Sequence, residues 1–250
     1  MSSYRSAGEL MLGEMLPTMI VGVDDCGGGS LAGPITAAAV AAVAHMPRDS
    51  RGRLPTRLLN SWWPQVRGLA VVETKSAPAR AHIKRVALAA PEALSEMGAA
   101  YGVGIVTPEE RDLHGDRIAT GMAMQRATAA LRAEGAIWPP DLLVVDGDRG
   151  IPGVAVSQRC IPEADTISWH VALASCMAYY HRWQWIEQAV KHASWASGWR
   201  MTVHLGFATP DHVRSCEQAG MGYLTPIHVP RNVMSMMRRR AARRAAQERR

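Results

Sequence analysis

The chain has 250 residues, of which 48% are apolar, and a formal net charge of +6. This length suits one large or two small domains, and the apolar fraction is sufficient for a sizeable core. The longest apolar run, residues 35–44, is too short to cross a bilayer, and the first residues lack the pattern of a secretory signal. We therefore expect a cytoplasmic protein that makes no membrane contact.

The excess positive charge lies at the C-terminal end of the sequence. The segment Arg238–Arg250 contains seven arginines and one glutamate, a net charge of +6, so the other residues together are close to neutral. Such a tail is either a solvated segment that aids solubility or a sequence-independent contact to phosphate, which arginine binds through paired hydrogen bonds. Both roles stay open for the predicted tail, residues 229–250.

The order of the first elements predicts a hairpin. Residues 1–18 are assigned as a short leader. The stretches "TMIVGVDD" and "ITAAAVAAVA" have the composition of strands and are joined by a glycine turn, which predicts an antiparallel pair. Residues 45–68 mix proline, glycine, arginine and a tryptophan pair, and they predict an irregular excursion.

Helices and strands alternate in the rest of the chain. Helical spacing in "APARAHIKRVALAAPEALSEMG" is followed by the strand "AYGVGIVT", and Thr107 can cap a helix that contains Pro108 and Glu110. An amphipathic helix then ends at Gly135. The stretch "PPDLLVVDGDRG" predicts a buried strand, a second antiparallel excursion comes next, and a long helix begins near Ser168. This alternation indicates an α/β layer fold with a mixed central sheet flanked by helices.

Two acidic positions stand where buried strands end. Asp24 and Asp25 close the first strand, and Asp146 closes a later one; glycines border both places. Burying an unpaired carboxylate is expensive, so these acids need cations. Several carboxylates without histidine or cysteine form an all-oxygen site, which suits Mg²⁺ or Mn²⁺ and the phosphoryl chemistry that such ions assist.

Several motifs in register resemble the ribonuclease HII (type 2 ribonuclease H) family. The opening "GVDDCGGGSLAGPITAAAV" resembles the first motif of that family, and later stretches resemble its other motifs in the same order. They are "ETKSAP", "YGVGIVTPEERDL", "DLLVVDGDR", "VALASCMAYYHR" and "LGFATPDHV" with its continuation to "PIH". The resemblance implies a ribonuclease H-like catalytic domain over residues 19–228, with a small helical C-terminal part.

The resemblance also implies an activity and a set of site residues. The family cuts RNA in RNA–DNA hybrids, or at ribonucleotides embedded in DNA, with two divalent metal ions. Carried over to this chain, Asp24, Asp25 and Asp146 are the catalytic metal ligands. Substrate contacts are implied for the amides of the glycine loop, for a phosphate-binding lysine and for an aromatic ring beside the sugar: Gly27, Gly28, Gly29, Lys75 and Phe207.

The sequence departs from the family pattern at several places. Asp25 replaces a glutamate, which shortens the side chain by one methylene, and Gly28 replaces an arginine. Phe207 replaces a tyrosine and lacks its hydroxyl. Trp183 stands at the position assigned to the fourth metal ligand, and Ile167 replaces a lysine. Asp148 and Glu187 are nearby acids and are the candidates to replace the fourth ligand.

Two alternatives to the hybrid endonuclease follow from these departures. If Trp183 marks the loss of a metal ligand, the chain is a nucleic-acid-binding protein on the same fold with weakened or absent catalysis. If the changes at Gly28 and Phe207 alter selectivity, the substrate is another nucleic acid, such as branched DNA or plain RNA.

Overall fold

The structure, a computed structural model, describes residues 19–43, 77–96, 98–136, 138–191 and 200–219. Its elements in chain order are β1 (Met19–Cys26), β2 (Ile35–Val43), α1 (Ala77–Glu96), β3 (Ala100–Val106), α2 (Pro108–His114), α3 (Asp116–Ala133), β4 (Leu142–Asp146), β5 (Gln158–Ile161), a 3₁₀ turn (Ala164–Thr166), α4 (Trp169–Lys191), α5 (Met201–His204) and α6 (Pro210–Ala219). The predicted leader, the excursion at 45–68 and the basic tail lie outside the described residues. Within the described ranges, no helix has the length and apolar character needed to cross a membrane.

The described strands form one mixed sheet in the order β3-β2-β1-β4-β5, which confirms the predicted α/β class. β1 pairs with β2 in antiparallel fashion, with Cys26 opposite Thr36, so the predicted hairpin is confirmed. β1 also pairs with β4 in parallel, with Val23 opposite Val145. Because parallel strands end at the same edge of a sheet, the residues that follow this pair, Asp24 and Asp146, lie side by side.

The antiparallel excursion predicted after β4 is wrong. β5 runs parallel to β4, with Asp146 opposite Ile161. For β5 to run parallel to β4, the chain must return to the edge of the sheet at which β4 begins. The loop that makes this return is fixed by the amide side chain of Gln158. Its Oε1 accepts from the Ile151 N–H at 2.7 Å, and its Nε2 donates to the Val154 carbonyl at 2.9 Å.

The local signals for helix ends match the structure. Glu110 N donates to Thr107 Oγ1 at 3.3 Å, and Thr107 N donates to Glu110 Oε2 at 3.0 Å, so the predicted capping box at α2 is confirmed. The predicted amphipathic helix corresponds to α3, and Gly135 follows it with φ 84°. This positive φ is the conformation that favours glycine after a helix.

The chain divides into two compact units. The first contains the described residues within 1–26, 36–105 and 120–181, and the second contains those within 27–35, 106–119 and 182–250. An apolar cluster in the first unit joins β1, β4, the 3₁₀ turn and α4 through Ile20, Leu142, Val144, Ala164 and Val171. The predicted domain boundaries at 18/19 and 228/229 stay predictions.

Within the first unit, α4 lies close against β1 at Gly22. A Cβ added to Gly22 would lie 2.6 Å from the Cβ of His170 and closer still to backbone atoms of His170 and Val171. The glycine is therefore required by packing, because backbone atoms of a sheet and a helix cannot give way as a flexible side chain can.

We expect Gly22→Ala to destabilise the fold by about 2 kcal/mol or more, because an overpacked core must shift its backbone. In a chain of this length that corresponds to a fall in Tm of roughly 4–8 °C, measurable by thermal unfolding. Gly121→Ala is the control, since its nearest neighbours are ring atoms of Pro152 at 3.3 Å and alanine favours the helix. Equal Tm values for the two variants would contradict the close packing.

Candidate active site

The first unit places carboxylates together at the ends of β1 and β4. Asp24 is only 2% exposed, whereas Asp25, the next residue of the strand, is partly exposed. The Asp25 N–H donates to Asp24 Oδ1 at 2.7 Å, which fixes the rotamer of the buried side chain. The predicted meeting of Asp24 and Asp146 at neighbouring strand ends thus agrees with the observed register of β1 and β4.

The side chain of Asp146 is held by backbone donors. Its Oδ1 accepts a hydrogen bond from the Ala164 N–H at 2.7 Å. Burial raises the pKa of Asp146, the N–H groups of Ala164 and Gly147 lower it, and the charge of Glu163 raises it, with a net increase. The backbone therefore orients this carboxylate without neutralising it.

A further acid, Asp165, stands beside this pair and was not among the predicted site residues. It lies in the 3₁₀ turn before α4 and is 1% exposed. Its negative charge raises the pKa of Asp24, and its backbone N–H hydrogen-bonds to Asp146. A sequence signal that could have located it is its position two residues before Ile167, where the chain departs from the family pattern.

The charged form of the Asp24 carboxylate is energetically unfavourable. Burial raises its pKa well above the ordinary range, and the charges of Asp146, Asp25 and Asp165 raise it further, while the Ser175 side chain lowers it as a hydrogen-bond donor. One of its oxygens, Oδ2, is buried and has no hydrogen-bond partner among the residues that the structure describes. A buried carboxylate oxygen without a donor is suited to a cation.

The donor set of this cluster fits a hard divalent ion. All four side chains supply carboxylate oxygens, which Mg²⁺ and Mn²⁺ prefer. Within the described residues, no group of three or more His, Cys, Asp or Glu side chains is arranged closely enough to hold a metal ion as it stands. The orphaned oxygen of Asp24 and the mutual repulsion of the carboxylates are the observations that indicate a place for positive charge.

The glycine loop belongs to the second unit. Gly27 has φ 109°, and the space where a Cβ would stand is taken by Arg182 Nη1 and the Pro34 carbonyl. Gly28 and Gly29 are exposed. The amide of Gly29 donates to Asp116 Oδ2 at 3.1 Å, so one of the three predicted substrate-binding amides already has an acceptor within the protein.

The remaining predicted site residues are dispersed. Phe207, in the second unit, is 5% exposed, and the guanidinium carbon of Arg182 lies 5.2 Å from its ring centroid, so its contact with a sugar stays a prediction. Lys75 lies outside the described residues. Trp183 lies about two helical turns beyond Ser175 on α4. The Asp148 side chain is 79% exposed, and its Oδ1 lies 3.6 Å from Arg149 Nε.

Comparison with known proteins finds relatives that are named ribonuclease HII. The chain is 33% identical over 216 residues to the ribonuclease HII of Ralstonia nicotianae, a match that covers 86% of this chain and 77% of that protein. The chain belongs to the ribonuclease HII family. No family model matches the sequence.

Solved structures agree with the fold of ribonuclease HII. The ribonuclease H2 of Pyrococcus horikoshii OT3 matches with a TM-score of 0.52 at 17% identity, covering 88% of this chain and 99% of that one. Bst-RNase HIII, solved in complex with Mn²⁺, matches with a TM-score of 0.52 at 16% identity, covering 87% of this chain and 75% of that one. The predicted ribonuclease H-like fold is therefore confirmed.

In this ribonuclease HII family member we expect Asp24→Asn to raise the Tm in the presence of a chelator. The folded-state pKa of Asp24 is raised, so its charge destabilises the fold above that pKa and the destabilisation is lost as the pH falls towards the unfolded value. The expected gain at neutral pH is about 2–4 °C, which is roughly 1 kcal/mol for this length. Thermal unfolding at pH 7 and pH 5 measures it.

The difference in Tm between the variant and the wild type should narrow at the lower pH. Added Mg²⁺ should stabilise the wild type and have a smaller effect on Asp24→Asn. A variant that is less stable than the wild type in chelator at pH 7 would contradict the assignment of a strained buried charge.

Proposed function

We propose that this chain is a divalent-metal-dependent endonuclease that hydrolyses RNA in RNA–DNA hybrids, or cuts beside a ribonucleotide embedded in DNA. The observation that supports it most strongly is the buried carboxylate of Asp24, which lies near Asp146 and Asp165 and whose Oδ2 has no hydrogen-bond donor among the described residues. Membership in the ribonuclease HII family supplies the reaction class. The Mn²⁺ in the structure of Bst-RNase HIII supports the use of a divalent ion at this type of site.

The residues that would hold the metal ions are Asp24, Asp25, Asp146 and Asp165. Bound divalent ions supply charge stabilisation at the scissile phosphate and activation of a water for in-line attack. The chain itself orients the ligands: the Asp25 N–H fixes Asp24, and the Ala164 N–H fixes Asp146. The burial of Asp24 excludes water from one ligand and so strengthens its interaction with a cation.

We infer that the fourth carboxylate of the site is Asp165, and not the position of Trp183. The charge of Asp165 acts on Asp24 and its backbone contacts Asp146. The alternative of a protein that binds but does not cleave rested on a missing fourth acid at Trp183. With Asp165 in that role, the absence of an acid at Trp183 no longer favours the alternative over the enzyme.

The test of the function is cleavage of labelled duplexes by the purified chain. A DNA duplex with one ribonucleotide and an RNA–DNA hybrid are incubated with Mg²⁺ and, separately, with Mn²⁺; an all-DNA duplex and a chelator are the controls. We expect cutting on the 5′ side of the ribonucleotide that chelation abolishes. Binding without cutting would support the alternative, and equal cutting of the all-DNA duplex would contradict the proposed substrate.

We expect Asp146→Asn to abolish cleavage while hybrid binding is largely retained. Loss of a ligand removes several kcal/mol of transition-state stabilisation, which corresponds to a fall in kcat of about 10³-fold. Cleavage rates and the Kd for the hybrid, measured on the same preparation, check both parts. Wild-type activity in this variant would remove Asp146 from the mechanism.

A paired substitution distinguishes the two candidates for the fourth carboxylate. Asp165→Asn should lower kcat by about 10²-fold or more, because it removes a negatively charged metal ligand beside Asp24. Trp183→Phe keeps an aromatic ring in α4 and should change kcat by less than about threefold. The reverse order of effects in single-turnover assays would place the fourth functional position at Trp183.

A further inference from the structure

The second unit contains an arginine whose guanidinium is completely buried. Arg111, in α2, is 0% exposed. Its Nε donates to Asp116 Oδ1 at 2.6 Å and its Nη2 to Asp116 Oδ2 at 2.9 Å, a bidentate pair. The other donors bind the glycine loop: Nη1 reaches Ser30 Oγ at 2.8 Å and the Gly33 carbonyl at 3.3 Å, and Nη2 reaches the Ser30 carbonyl at 2.7 Å. All five N–H groups are therefore used.

A second buried arginine, Arg182, holds the same loop further along. Its Nη2 donates to the Ala32 carbonyl at 2.8 Å and to Ser30 Oγ at 3.0 Å, and its Nη1 donates to the Pro34 carbonyl. The buried half of the loop, from Ser30 to Pro34, is thus fixed by two guanidinium groups. These hydrogen bonds hold the backbone of this half in one conformation.

The exposed half of the loop is held by a different contact. Asp116, the first residue of α3, has a side chain that is 27% exposed and accepts the Gly29 N–H at 3.1 Å while it pairs with Arg111. A Cβ added at Gly29 would meet no atom of the described residues within 4 Å, so packing against those residues does not restrain this part of the loop. Partial burial raises the pKa of Asp116, but the hydrogen bond and charge of Arg111 lower it to a net value below the ordinary range.

We propose that Asp116 is a positioning residue for ribonucleotide recognition, which fixes the exposed tip of the glycine loop through the Gly29 amide. The role rests on the proposed function. Three consecutive glycines have many backbone conformations, and a tip already ordered in the free protein loses less entropy when it binds a sugar. Gly27 is buried and Gly28 is exposed, so the proposal places the Gly28 backbone at the tip against the sugar that carries the 2′-hydroxyl, the group that distinguishes RNA from DNA.

The test compares Asp116→Asn with Asp211→Asn. The first substitution keeps the size of the side chain and removes the charge, so one amide cannot both pair with Arg111 in bidentate fashion and accept the Gly29 N–H. The control removes an exposed carboxylate of the same unit that pairs with Arg214. Both are made in the Asp146→Asn background, which allows binding without cleavage.

The measured quantity is the ratio of two dissociation constants, for an all-DNA duplex and for the same duplex with one ribonucleotide. We expect Asp116→Asn to lower this preference for the ribonucleotide by roughly fivefold to tenfold, with affinity for the all-DNA duplex within about twofold of the parent. Asp211→Asn should leave the ratio unchanged. A purely structural role for Asp116 would weaken both affinities together, and that result would overturn the proposal.

Hydrogen exchange in the free protein tests the restraint without any substrate. Peptides that cover residues 27–33 should exchange about tenfold faster in Asp116→Asn than in the parent, because the Gly29 N–H loses its acceptor. Unchanged exchange there would overturn the proposal. If Asp116→Asn does not fold, the double variant Arg111→Met, Asp116→Ala removes both charges together and leaves no unpaired buried ion. It should show the same loss of preference and faster exchange; retained preference would again overturn the role.

The failure of the proposed function gives a different result. A parent protein with no preference for the ribonucleotide would contradict the proposed substrate and, with it, the role of Asp116 in recognition. A parent with a clear preference that survives in Asp116→Asn would contradict only the positioning role.

Discussion

The arrangement of the first unit depends on the burial of one carboxylate, Asp24, whose Oδ2 has no hydrogen-bond donor within the described part of the chain. Asp24 lies in β1, between β2 and β4, where the charges of Asp146 and Asp165 act on it, and its own charge is unfavourable there without a cation. Such a position persists only where the surrounding structure is strongly determined. The parallel pairing of β1 with β4 and the close approach of α4 at Gly22 supply that determination.

The two units differ in how far their buried charges are compensated by neighbouring groups. Arg111 in the second unit uses all five of its N–H groups on the glycine loop and on Asp116, so its charge is fully compensated. The carboxylates of the first unit repel one another, and Asp24 Oδ2 receives no hydrogen bond from any residue that the structure describes. A satisfied buried ion fixes the conformation of its neighbours, whereas an unsatisfied one marks a place where a ligand acts.

The features that local sequence determines were predicted well. The β1–β2 hairpin follows from two apolar stretches around a glycine turn, and the capping box of α2 follows from the spacing of Thr107 and Glu110. Asp24 and Asp146 were located because each ends an apolar strand. The family resemblance assigned both acids to one metal site, and the parallel register of β1 with β4 places them next to each other.

The errors concern features that local sequence does not determine. The direction of β5 depends on how the loop before it folds around Gln158, a contact that no periodicity records. Asp165 lies in a short 3₁₀ turn and ends no strand, so the rule that found the other acids does not apply to it. Trp183, the position that the family resemblance assigned to the fourth ligand, lies about two turns along α4 from Ser175, whose side chain hydrogen-bonds to Asp24.

The glycine loop depends on the two buried arginines that bind its backbone. With Gly28 in place of the arginine of the family pattern, the loop has no cationic side chain of its own between Gly27 and Gly29, and recognition falls to backbone groups. Backbone recognition is selective only when the backbone is held in one conformation, because a mobile peptide group adapts to either sugar. The charges that the exposed loop lacks are present beneath it as Arg111 and Arg182, which bind its carbonyl groups. On the proposed function, these cations contribute to selectivity through the conformation of the loop and not through contact with phosphate.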